Sequence, residues 1–159
     1  MRTSSRATPA WLSVVLCLGL VAPAIPALAQ DDQGAQAKVT VLLYSGRPNP
    51  SFTLDDAAVR RLAELLAAAT PVQDYERDSV MPSILGYNGL VVETRGERAG
   101  LPRRLVVYHN DLEAGDGEKR FLRDEQGAIE EWLLGLAIER KAIESGQLEA
   151  IRGSGSTSG

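Results

Sequence analysis

Between residues 38 and 44 the chain alternates, with Val39, Val41 and Leu43 on one side and Thr40, Leu42 and Tyr44 on the other. A period of two predicts a strand, and apolar residues on both faces place it inside a sheet rather than at its edge. From residue 54 the period changes. Leu54, Ala58, Leu62, Leu65, Leu66 and Ala69 recur at helical spacing, while Arg60, Arg61 and Glu64 fall on the opposite side. This predicts an amphipathic helix with Thr53 as its N-cap, Asp55 and Asp56 in a first turn that favours carboxylates, and an end at Thr70-Pro71. Residues 71–88 are too long for a plain connection and carry Tyr75, Val80, Met81, Ile84 and Leu85, so they are expected to drape over the sheet and bury those side chains.

Alternation returns beyond this loop. Leu90, Val92 and Thr94 face Leu105, Val107 and His109 in an antiparallel hairpin of residues 90–95 and 104–110. Residues 111–119 read as an acidic turn and 119–123 as a short extra strand. Asp124 then caps a second helix through Ile129, Trp132, Leu133, Leu136 and Ala137, ending near Ser145-Gly146. Together these elements predict an α+β fold: a small two-layer sandwich in the order β-α-β-β-(β)-α, with a mostly antiparallel sheet and two helices on one face.

The ends of the chain differ from its middle. Arg2 and Arg6, the apolar run of residues 11–21, and Ala27-Leu28-Ala29 form the basic, apolar and small-residue parts of an export signal over residues 1–29. The expected arrangement is that signal, a flexible segment over residues 30–37, one α+β domain over residues 38–151, and a disordered Gly/Ser tail over residues 152–159. Export to the periplasm or the extracellular space follows, with no stable membrane insertion once the signal is cut. Cleavage also removes Cys17, the only cysteine, leaving no disulfide, thiolate nucleophile or cysteine metal site. It leaves 15 Lys and Arg against 21 Asp and Glu, a formal charge of −6 that argues against nucleic acid as a partner.

The remaining chemistry is sparse. His109 is the only histidine, which removes the zinc patterns that need two. With Asp111 or Glu113 it is the one candidate for acid-base work, and no G-x-S-x-G elbow accompanies Ser45, Ser51, Ser79 or Ser83. Asp111, Glu113, Asp116 and Glu118 offer oxygen ligands for calcium, but their spacing departs from the EF-hand loop, so a solvated turn is expected there. No glycine-rich phosphate loop is present, and no cofactor is called for.

The distinctive stretch is Ser45-Gly46-Arg47-Pro48-Asn49-Pro50. Two prolines stiffen it, and Gly46 supplies the position free to take a positive φ. It is expected to form a rigid corner between the first strand and the first helix, with little entropy to lose on binding. This hexapeptide, its flanking strand and helix, and the later Leu85-Gly86-Tyr87-Asn88-Gly89-Leu90 resemble a group of small, mostly hypothetical exported bacterial proteins. That resemblance covers about half of the chain beyond the signal and implies a shared fold without an activity. The leading expectation is a binding module for an unknown small molecule or protein, using Ser45, Arg47, Asn49, Tyr87 and Asn88. The alternatives are a small hydrolase using His109 with Asp111 or Glu113, and a protease inhibitor presenting the proline-braced loop.

Overall fold

The computed structural model describes residues 36–96, 100–115 and 117–155. The expected export signal over residues 1–29, residues 30–35, residues 97–99, Asp116 and residues 156–159 lie outside the described residues. The fold is α+β. Seven strands, β1 (Gln36–Val41), β2 (Ser51–Leu54), β3 (Thr70–Val72), β4 (Leu90–Arg95), β5 (Arg104–Tyr108), β6 (Asp111–Gly115) and β7 (Lys119–Arg123), form one open sheet. Its order is β2-β1-β4-β5-β6-β7-β3, and every pairing is antiparallel. Three helices pack against it: α1 (Asp56–Ala67), α2 (Ala128–Glu139) and α3 (Ser145–Gly155). Among the described residues no helix is long and apolar enough to cross a membrane.

One side of each strand supplies the main core. Val39 and Val41, Leu90 and Val92, Leu105 and Val107, and Leu112 are buried against Leu62 of α1, Ile129 and Leu133 of α2 and Ile151 of α3. α2 packs against β5, α1 and α3 together, which explains why its sequence is apolar on most sides rather than along one stripe. The other side of the sheet carries Val91 and Val106, covered by Val80 from residues 73–89. That long segment drapes over the sheet as its apolar content predicts, and the Tyr75 ring stacks on Phe121 with centroids 4.4 Å apart.

Six local expectations change. The hexapeptide does not turn from strand into helix; β2 follows it and pairs with β1, so residues 42–50 close a hairpin. Phe52 and Leu54 are buried, and this short alternation outweighs the capping signal at Thr53. The N-cap is Asp55, whose Oδ1 accepts from the Ala58 N–H at 2.9 Å. Ala58, and then Arg140, hold the Asp55 carboxyl below its usual range. Arg140 also donates to Thr53 O at 2.7 Å and so covers part of the sheet's outer edge at β2.

The first helix stops at Ala67, and residues 70–72 pair with β7 at the opposite edge, where Pro71 removes no central ladder bond. The acidic run is β6 and the β6–β7 hairpin, not a solvated turn. The second helix is two helices. α2 ends in a Schellman motif: Ala142 N–H donates to Ala137 O at 2.8 Å and Lys141 N–H to Ile138 O at 2.9 Å. Lys141 holds the left-handed position, φ 55°, that glycine usually takes. At the ends of the domain, β1 begins at Gln36 and α3 runs to Gly155, so the regular structure is longer than the expected span of residues 38–151.

Lys141→Gly is expected to stabilise the protein by about 0.5–1 kcal/mol, because the left-handed backbone costs lysine more than glycine. Thermal or urea unfolding of the two proteins measures this.

Candidate functional site

Antiparallel pairing of β1 with β4 brings the two sequence features together. Val41 pairs with Leu90, and beyond that pair Leu42 N–H donates to Gly89 O at 2.9 Å while Asn88 N–H donates to Leu42 O at 2.8 Å. The hairpin loop at residues 42–50 is thereby stitched to the turn at residues 86–89. Gly89 has φ 99°, and a Cβ there would lie 2.3 Å from Val107 O, so only glycine allows the turn to sit this close to β5.

Asn49 is a brace. Its Oδ1 accepts from both Leu43 N–H, at 2.9 Å, and Tyr44 N–H, at 2.8 Å, satisfying the backbone where the β1–β2 ladder has ended. Gly46 takes φ 84°, the reversal expected of it. Asn88 does in the second turn what Asn49 does in the first: its Nδ2 donates to Ile84 O at 2.9 Å and to Gly86 O at 2.8 Å. Ser45 is exposed at the bend.

Arg47 is different. It is exposed, its guanidinium carbon lies 3.5 Å from the centroid of the Tyr44 ring, and among the described residues it forms no ion pair. A cation–π contact with the ring orients the guanidinium. The Tyr44 hydroxyl accepts from Gln147 Nε2 of α3 at 2.5 Å, which fixes the ring from the far side.

These elements enclose an open groove of about 430 Å³. Leu43, Tyr44 and Arg47 form one wall, the turn from Ile84 to Tyr87 another, and Gln147, Ala150 and Ile151 of α3 the third. Among the described residues Arg47 is the one charged residue lining it. Ile84 and Leu85 are 54% and 90% exposed, so the rim of the groove is an apolar ridge in water.

Tyr87 is buried, and its hydroxyl donates to Glu130 Oε1 of α2 at 2.6 Å. Burial first, and then Glu130, hold the Tyr87 phenol far above its usual range. The same carboxylate accepts from His109 N–H at 3.0 Å, and its other oxygen lies 3.4 Å from His109 Nδ1. His109 therefore partners Glu130 across a separate cleft lined also by Leu134 and Ile151, not Asp111 or Glu113. Sequence reasoning missed Glu130, since a glutamate in a helix's first turn reads as dipole compensation.

The expected partners of His109 point to the sheet's other side and hold residues 73–89. Glu113 is buried opposite Val106 and accepts from Ser79 Oγ at 2.6 Å and Val80 N–H at 3.3 Å. Its Oε1 lies 3.2 Å from Lys119 Nζ and 3.8 Å from Arg104. Asp111 accepts from Tyr75 OH at 2.9 Å and pairs with Arg123 at 3.0 Å. Of the four calcium candidates, Asp111 and Glu113 accept from donors and cations of the chain itself. No group of three or more metal-ligating side chains occurs among the described residues.

The site thus belongs to an α+β open-sheet protein with an apolar groove at one end of its sheet and a single cation in that groove. Compared with known proteins, the chain matches no family model, no curated protein and no solved structure.

Burial raises the Glu113 carboxyl, but the Ser79 hydroxyl, Lys119 and the Val80 amide together bring it below its ordinary value of 4.5. A lowered folded-state value means stability that is fully present above pH about 4.5 and is lost as the pH falls through the lower folded value. Glu113→Gln is expected to cost about 2 kcal/mol at pH 7 and progressively less below pH 4.5. Urea unfolding of both proteins from pH 3 to pH 7 reads the convergence.

Proposed function

We propose that the chain is an exported binding module whose ligand lies in the Arg47 groove and carries an anionic group on an apolar body. The observation that carries this reading is the disposition of Arg47: held against Tyr44, exposed, and without a carboxylate partner among the described residues, at the edge of an apolar recess. A structural arginine is normally tied to carbonyls or carboxylates. Here that work is done by Asn49 and Asn88. The groove is also held in place before any ligand arrives, which lowers the entropy lost on binding.

Of the residues expected as ligand contacts, Arg47 and the exposed Ser45 remain available to a ligand, Tyr87 contributes a wall, and Asn49 and Asn88 contribute shape. The export half of the proposal rests on the pattern of residues 1–29. The protease-inhibitor reading is less well supported, because a convex inhibitory strand has to be extended and residues 45–47 instead bend around Gly46.

An anilinonaphthalene monosulfonate, an apolar fluorophore with one negative charge, suits the groove as a first probe. Its fluorescence titration is expected to show binding that Arg47→Ala and Leu85→Asp each weaken by about tenfold or more, the equivalent of about 1.4 kcal/mol. Arg61→Ala, on the exposed side of α1, leaves it unchanged. Equal binding by all four proteins contradicts the assignment of the groove.

A further inference from the structure

The ligand can be described more narrowly. We infer that the groove receives the C-terminal end of a polypeptide, with Arg47 taking the terminal carboxylate and the recess taking apolar side chains of the last residues. The inference rests on the groove being the binding site, and adds the class of partner.

Charge sets the first limit. Among the described residues Arg47 is the only charged residue lining the groove, and the chain without its signal carries six more acidic than basic residues. A polyanion or a phosphate dianion meets one guanidinium and a repulsive field, whereas a monoanionic carboxylate matches one planar fork. The Arg47 guanidinium lies over the Tyr44 ring, and a planar guanidinium can offer a carboxylate two parallel N–H···O bonds.

Shape sets the second. The recess opens to solvent and is bounded by α3 and two loops. A fatty-acid chain lying there keeps much of its length in water, while a polypeptide places its last side chains in the recess and leads the rest of its backbone out to solvent. Polar groups are distributed to suit a backbone. The Tyr44 hydroxyl and the Gln147 amide, bonded to each other, stand among the lining side chains, and residues 45–48 are exposed beside them. Terminal carboxylate capture of this kind needs a fixed donor set beside an apolar pocket. Ile84 and Leu85 are the large apolar side chains most exposed to water, and they stand on the rim where a penultimate side chain would cover them.

Calorimetric titration compares three probes on the full chain: a short apolar peptide ending in leucine with a free carboxylate, the same peptide amidated, and octanoate. The free-acid peptide is expected to bind at least about tenfold more tightly than either of the others. Arg47→Ala is expected to abolish the difference between acid and amide. Arg47 is exposed, so the variant keeps the wild-type melting temperature within a few degrees; Arg47→Lys, which retains charge without the fork, recovers part of the preference. Equal binding of acid and amide by the wild type overturns the inference. Octanoate binding as tightly as the peptide also overturns it, while leaving the groove as an anion and apolar site. No binding of any probe, together with Arg47-independent binding of the fluorescent sulfonate, overturns both this inference and the groove itself.

Discussion

A buried carboxylate holds the groove end of this molecule together. Glu113 sits in the middle of β6 on the face away from the helices, where a charged side chain is expensive unless it is fully partnered. Its partners come from two sources: Lys119 and Arg104 from neighbouring strands, and the Ser79 hydroxyl and Val80 amide from the long segment between β3 and β4. Removing that segment would leave the carboxylate short of donors, so the charge and the segment hold each other in place. Two residues along the same face, Asp111 repeats the arrangement with Tyr75 and Arg123. At the Glu113 anchor the Val80 side chain packs into the apolar patch of Val91 and Val106.

The groove follows from this attachment. Residues 84–87 form one wall only because residues 75–80 are fastened upstream and Asn88 is fastened downstream, through Leu42, to the first strand. The opposite wall is fixed by Asn49, which caps two amides that the ladder no longer reaches. The third wall exists because α2 ends at Glu139 and the left-handed Lys141 allows α3 to return alongside the loops. Side chains that would each be mobile on an isolated loop therefore face one another across a preformed recess.

The parts of this arrangement visible in the sequence are those encoded by local period and backbone chemistry. Alternation at Leu90, Val92 and Leu105, Val107 identifies the central hairpin, and Gly46 marks the reversal that the structure shows. The apolar residues of 71–88 foretell a segment packed on the sheet. Where two local signals compete, the sequence misleads: Thr53 and Asp55 both resemble caps, and a four-residue strand with two buried side chains is too short to decide between them. The break after α2 hides because lysine, not glycine, occupies the left-handed position. Asp111 and Glu113 read as a solvated acidic run because their partners lie 36 and 34 residues away, at Tyr75 and Ser79. Glu130 likewise meets Tyr87 and His109 only after the sheet has formed. Of the candidate site, Arg47 and the turn at residues 86–89 were legible, while the contribution of α3 was not.

If the two anchors hold residues 73–89 as described, their amides are protected before any ligand is present. Native-state hydrogen exchange at neutral pH, followed residue by residue, tests this most directly. The Val80 amide, bonded to Glu113, and the Asn88 amide, bonded to Leu42, are expected to exchange at rates comparable with the central strands β4 and β5. Exchange of both at the rate of an unstructured chain, with β4 and β5 still protected, would contradict the account.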